Sequence, residues 1–233
     1  MLGRRHMRDI IKEFVRECVA ILPFREPIHE FGAYQVAGQE GFADLRAFFP
    51  DKCYIGSDMR RGVGVDLMLD LHALGLASES VGSALILDTL EHVESPWRAM
   101  EEVHRVLAPG GVVLISSVMN FPIHNHPSDY WRFTPEAFRS LLRSFEFAAV
   151  TWAGVEDFPE TVVGVGCKGR LSEAQVQALQ ERLTAWRQRW APRTPPLYER
   201  IAKLVAPPLA LGVYRVMRDR NLRWIRQAWH QPG

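Results

Sequence analysis

Four acidic residues stand where apolar runs give out. Glu30 closes Pro27-Ile-His-Glu, Asp58 closes Lys52-Cys-Tyr-Ile-Gly-Ser-Asp, Asp70 follows Val65 to Leu69, and Asp88 closes Gly82-Ser-Ala-Leu-Ile-Leu-Asp. Each run has the length and apolar content of a strand, so each acid falls at a strand end. A carboxylate there is a good bidentate acceptor for a diol and complements positive charge on a ligand. Taken singly, such an Asp is equally a helix N-cap or a turn former; four in order favour a ligand site. The second chemical stretch is Phe121-Pro-Ile-His124-Asn-His126-Pro-Ser-Asp129-Tyr-Trp-Arg132-Phe-Thr-Pro135. So many polar and aromatic groups in one loop are costly unless they bond one another or a ligand. His124, His126, Asp129 and Tyr130 are the candidate catalytic residues, suited to moving a proton at a reacting group. His92, Asn125 and Arg132 are candidate substrate contacts. The plainer alternative is a clamp, with Arg132 salt-bridged to Asp129 and with Trp131 and Phe133 in the core. His124 and His126, two residues apart, lack a clear third ligand, and no metal site is expected.

These residues need elements to hold them. Ile10, Ile11, Phe14, Cys18 and Ile21 have helical spacing, predicting a helix over 9–22 that Pro23 and Pro27 stop. Strands are expected at 27–32, 52–58, 65–69, 82–88 and 112–116, with a helix over 41–49. Ser95-Pro96 and Thr134-Pro135 each read as an N-cap followed by proline at the first helical position. Pro109-Gly-Gly111 should end the helix that Pro96 opens, and 145–152 with 160–167 suit a terminal β-hairpin. Strands alternating with helices imply an α/β fold whose ligand sits beyond the carboxyl ends of the strands.

Asp88-Thr-Leu-Glu-His-Val93, the helix after it, and Glu102-Val-His-Arg-Val-Leu-Ala-Pro-Gly-Gly111 resemble two motifs of the class I S-adenosylmethionine (SAM)-dependent methyltransferases, of the methyltransferase type 11 kind. The resemblance spans roughly 27–169. It implies a Rossmann-like, doubly wound, mostly parallel seven-stranded sheet with a terminal antiparallel hairpin. It also implies SAM as cofactor, bound by Glu30, Gly32, Ala33, Tyr34, Asp58, Met59, Asp70, Leu71, Asp88 and Thr89. Asp58 would hold the ribose hydroxyls, Asp70 and Leu71 the adenine edge, and Asp88 and Thr89 the floor beneath the methionine. The family's first motif usually carries glycine where this chain has Tyr34, so either Gly38 and Gly41 supply the turn or the site is altered. The run Asp129-Tyr-Trp-Arg-Phe-Thr-Pro135 is similar to one in methyltransferases encoded among polysaccharide and glycan biosynthesis enzymes. This points to O-methylation of a sugar, glycan precursor or other hydroxylated small molecule. The rivals are a non-catalytic methyltransferase-like scaffold and an enzyme acting on nucleic acid or protein. An NAD(P) oxidoreductase is disfavoured because no G-x-G-x-x-G follows the first strand.

The chain has 233 residues, 47% of them hydrophobic and 24% charged, which suits one core with an appendage. Two regions follow from the change in character at Leu171: a methyltransferase domain over 1–170 and a basic helical extension over 171–233. The extension holds 11 Lys and Arg against 4 Asp and Glu, whereas the first 170 residues hold 17 against 23. Its helix over 171–190 and the apolar-basic segment from Ile201 read as a cap on the body or a homodimer contact. The rival reading is peripheral contact with an anionic membrane surface. No nucleic-acid module is recognisable, and none is expected as a partner. Cys18, Cys53 and Cys167 form no metal or redox pattern and read as small buried hydrophobes, which points to a cytoplasmic compartment. No leader or membrane span is apparent.

Overall fold

The computed structural model describes residues 2–38, 41, 43–124 and 127–191. Asn125 and His126, and the expected segment beyond Pro192, lie outside the described residues. Two units are distinguished, Met1–Ala191 and Pro192–Gly233, and the first carries everything below.

Its elements in chain order are α1 (Leu2–Val19), β1 (Ile28–Phe31), β2 (Tyr54–Asp58), β3 (Leu67–Met68), β4 (Val81–Leu87), α2 (Pro96–Val106), β5 (Leu107–Val118), α3 (Pro135–Leu141), β6 (Phe147–Val155), β7 (Phe158–Cys167) and α4 (Glu173–Arg189). One seven-stranded sheet runs β3-β2-β1-β4-β5-β7-β6. The first five strands are parallel, and the hairpin adds β7 antiparallel to β5, with β6 outside it. The chain steps outward from β1 to β3, then returns to lay β4 on the other side of β1. That reversal is the switch point at which such sheets bind ligands.

Alternation along the central strands builds two cores. Leu85 and Leu87 of β4, with Val112 and Leu114 of β5, face α1 and α4. Ala84 and Ile86, with Val113 and Ile115, face α2 and α3. Every residue of β4 is buried, as a strand covered on both faces requires. Helix α4 is fixed to α1 by Trp186, which is fully buried, meets Phe14 at 5.9 Å between ring centroids, and donates its indole N–H to Ile10 O at 3.1 Å. Trp190 and Arg189 both reach Glu13, and Arg182 reaches Glu17. Ser172 opens α4 with a reciprocal capping box to Gln175.

Several expectations shift. The helix over 41–49 reduces to one 3₁₀ turn, Arg46–Phe48, with Gly41 at φ +75° and the Asp44 side chain accepting from Arg46 N. The third strand shrinks to two exposed residues at the sheet edge. Ser95 gives no side-chain cap to α2, whereas Thr134 accepts from Ala137 N as expected. Pro109-Gly-Gly111 is an irregularity inside β5 rather than a break before it: Leu107 pairs with Val81 and Val112 with Ser83, so the extra residues bulge out. Cys18 and Cys167 are buried, and burial pushes both thiols up, Cys167 to about 12. Cys53 is exposed, since it lies just before β2 enters the sheet.

Candidate active site

At the carboxyl ends of β1, β2 and β4 lies a cavity of about 440 Å³, within the range of roughly 300–1,000 Å³ usual for small-molecule sites. Its floor is where β1 and β4 end side by side. Gly32 follows β1 with φ +87°, and a β-carbon there would stand 2.1 Å from Thr89 Oγ1. Only glycine takes that conformation and that approach together. Thr89 is held in turn, its hydroxyl set between the carbonyls of Leu87 (3.0 Å) and Phe31 (3.3 Å). Asp88 leaves β4 with φ +49°, a conformation unfavourable for a residue with a β-carbon. It persists because Asp88 N is bonded to Ser116 and Ser116 Oγ donates to Asp88 Oδ1 at 2.8 Å. Backbone strain of this kind, held by neighbours, turns a carboxylate into the cavity wall.

The second strand contributes Asp58, which is buried. Its Oδ1 accepts from Arg60 N at 2.9 Å and Arg60 Nε at 3.1 Å. Arg60 also lies over the Tyr34 ring, 4.3 Å from its centroid, and Gly62 leaves room for that ring. The tyrosine at the glycine-poor first loop therefore lines the cavity as part of an Asp58-Arg60-Tyr34 stack. Asp70 forms a tight turn in which Oδ1 accepts from both N and Nδ1 of His72 at 2.8 Å. Those bonds, led by the His72 backbone N–H, hold the Asp70 carboxyl below its ordinary value. Ser95 N donates to His72 Nε2, so the ring carries its hydrogen on Nδ1.

The loop after β5 supplies the opposite wall. Arg132 spends all five N–H donors inside the loop: Nε on Phe121 O, Nη1 on Asp129 Oδ1 and Trp131 O, and Nη2 on Asp129 Oδ2 and Pro122 O. It staples the two ends of the loop together. Burial opposes the charge on Asp129, yet the Arg132 guanidinium and the His124 N–H hold its carboxyl below the usual range. Trp131 is part-exposed rather than in the core; it donates to Val93 O and meets the edge of Trp97. Phe133 is buried as expected. Backbone N–H groups of Tyr130 and Trp131 reach Glu91 O, tying the loop to the turn after β4. In that turn His92 donates Nδ1–H to Ser128 O at 2.5 Å, and burial lowers its basicity.

One cavity thus brings together Gly32, Tyr34, Asp58, Met59, Asp70, Leu71, Asp88 and Thr89 with His92, His124 and Tyr130. Glu30 and Ala33 are not among its walls: Glu30 accepts the Tyr54 hydroxyl at 2.7 Å, and Ala33 packs against Gly56. Asp129, with both oxygens engaged by Arg132 and His124, sits behind the wall. Sequence reasoning missed Arg60, His72, Glu91 and Ser128, which also line the cavity. The Asp58-x-Arg60 and Asp70-x-His72 spacings were legible as self-bonded turns, whereas Ser128 is recruited only through its carbonyl.

Residues 57–115 match the family profile described as a methyltransferase domain. No curated protein matches the chain in sequence. Among solved structures, the chain is similar to a SAM-dependent methyltransferase, described as a possible histamine N-methyltransferase, from Thermotoga maritima. That match has 20% identity, covers 68% of this chain and 89% of that one, and has a TM-score of 0.51. A SAM-dependent methyltransferase from Archaeoglobus fulgidus aligns at 12% identity over 69% and 94% of the two chains, with a TM-score of 0.52. A complex of the Trm112 methyltransferase activator with a methyltransferase from Haloferax volcanii aligns at 18% identity over 72% and 95%, with a TM-score of 0.50. The match to a methyltransferase domain over residues 57–115, set in a Rossmann-like sheet that these solved structures share, supports SAM-dependent methyl transfer with SAM as the cofactor.

Proposed function

We propose that the chain transfers the SAM methyl group to a hydroxyl of a small molecule, with a sugar or glycan precursor as the first class to test. The observation that carries this reading is the shared cavity: strand-end acids on one wall and His124 with Tyr130 on the other. On the cofactor side, Asp58 and Asp70 suit hydroxyl and amino donors, while Asp88 places negative charge beside a sulfonium. Methyl transfer is an in-line displacement. The acceptor oxygen attacks opposite sulfur, the C–S electron pair returns to sulfur, and the hydroxyl proton must leave. Holding the two reactants at near-attack distance is the larger contribution. His124 directs Nδ1 at Pro122 O, which accepts only, so the neutral ring carries its lone pair on Nε2. That nitrogen suits a hydroxyl proton better than Asp129, whose oxygens are engaged by Arg132.

The test is labelled-methyl transfer from SAM to a panel of hydroxylated sugars, glycan precursors, amines, RNA and protein. Incorporation into hydroxylated small molecules, reduced in His124→Ala, is the expected result. Incorporation confined to amines or macromolecules, or none with any acceptor, would overturn it.

A further inference from the structure

The acceptor end of the cavity holds a set of side chains that methyl transfer alone leaves unexplained. Glu91 and His92 lie in the 3₁₀ turn Leu90–His92 after β4, and His124 comes from the loop after β5. Each offers one ligand atom, and those three atoms lie within 4.8 Å of one another. We propose that Glu91, His92 and His124 bind a divalent first-row transition-metal ion at the acceptor end of the cavity.

Three features beyond proximity argue for it. Two imidazoles and a carboxylate are a donor set preferred by ions of the manganese-to-zinc series, and three protein ligands leave positions open for substrate. The tautomers are already set: Nδ1 of His92 faces Ser128 O at 2.5 Å, and Nδ1 of His124 faces Pro122 O at 3.2 Å with Asp129 Oδ2 also at 3.2 Å. Carbonyls only accept, so both rings carry hydrogen on Nδ1 and present Nε2 as the lone-pair nitrogen. Donation of the far ring nitrogen to a carbonyl or carboxylate is how ligating histidines are oriented. Finally, Glu91 is 1% exposed, and its Oε2 accepts from Ser117 Oγ at 2.7 Å, which fixes the carboxylate. Ligands about 2.0–2.2 Å from such an ion stand roughly 3 Å apart. Side-chain rotation on the order of 1 Å therefore closes the set around it. The His124 and His126 spacing alone offers no third ligand; the fold supplies Glu91 and His92 from another strand end.

The consequence for chemistry rests on the methyl-transfer reading. With the ion bound, Nε2 of His124 is a ligand and no longer the base: an acceptor hydroxyl on the ion gives its proton to solvent water instead, and the alkoxide oxygen attacks the methyl carbon. The C–S bond breaks toward sulfur, leaving a methyl ether, S-adenosylhomocysteine and one proton. Open metal positions favour acceptors with a second oxygen beside the reacting hydroxyl, such as a vicinal diol or a hydroxy acid.

The site is tested without SAM or acceptor. The full chain, free of affinity tag and stripped with chelator, is titrated with Co²⁺ and followed by visible absorption. One Co²⁺ per chain is expected, with ligand-field bands displaced by Zn²⁺. His124→Ala should abolish those bands while keeping its circular dichroism, and Asp129→Asn should weaken binding by about 10- to 100-fold. Wild-type protein that binds SAM yet shows no Co²⁺ bands would overturn the metal site and leave the methyltransferase reading standing. Equal Co²⁺ binding by His124→Ala would overturn it too.

Discussion

Gly32→Ala should be among the most damaging single methyl additions in the described fold, and its cost divides into two separable parts. The backbone part comes from φ +87° at this position, where a β-carbon costs about 1–2 kcal/mol. The steric part comes from Thr89, whose Oγ1, Cγ2 and Cβ would lie 2.1, 2.6 and 2.9 Å from the new carbon. Thr89 cannot swing away cheaply, because its hydroxyl is held by the Leu87 and Phe31 carbonyls. Overpacking of this kind costs about 1–3 kcal/mol. The sum, roughly 2–5 kcal/mol, corresponds to a fall of roughly 4–20 °C in Tm for a domain of this size. Urea unfolding followed by circular dichroism measures it. The double variant Gly32→Ala/Thr89→Gly removes all three contacting atoms. It should show a coupling of about 1–3 kcal/mol, while the backbone cost remains. A Gly32→Ala protein within about 0.5 kcal/mol of wild type would refute the argument, as would a cycle with no coupling.

Two further outcomes follow. Trp186→Ala removes the indole that joins α4 to α1 and the hydrogen bond it donates to Ile10 O. It should cost about 3–5 kcal/mol in urea unfolding without changing SAM affinity, because Trp186 is remote from the cavity walls. A loss below about 1 kcal/mol would show that α4 is not part of the cooperative unit. Acid should weaken the fold through His92, whose folded pKa lies below the ordinary 6.5 because of burial. Between those two values the unfolded chain holds the proton and the folded chain does not, so this stability is complete above about pH 6.5 and declines below it. Asp129, held below 3.8, adds a second loss at lower pH. Urea unfolding between pH 5 and 7 should show the decline, reduced in His92→Gln; a flat profile or a rise on acidification would contradict it.

Strand-end acids and buried strands were readable from the sequence because apolar runs of the right length, closed by acids, report both burial and polarity reversal. The N-cap at Thr134 was readable from local chemistry alone, whereas Ser95, with φ −120° and ψ 76° against −82° and 163° at Thr134, makes no side-chain cap bond. The helix expected over 41–49 failed because a left-handed glycine at its start, Gly41, and an Asp44 turn outweighed its apolar content. The site was half legible. Residues that face the cavity from strand ends are fixed by position along the chain. The use of Arg132 as a loop staple, and the meeting of Glu91, His92 and His124, depend on where β5 delivers its loop. No local spacing encodes that.

The most direct test of the account is calorimetric titration of the chain with SAM and S-adenosylhomocysteine, with NAD⁺ as control and Asp58→Ala alongside. Asp58 is buried, with one oxygen tied to Arg60. Loss of charged hydrogen bonds from it to a ligand should weaken binding by about 10- to 150-fold, equivalent to about 1.5–3 kcal/mol. Binding of both sulfur ligands, absent for NAD⁺ and weakened to that extent in Asp58→Ala, is the predicted result. No binding of either at millimolar concentration, or full affinity in Asp58→Ala, would contradict the assignment of this cavity as the cofactor site.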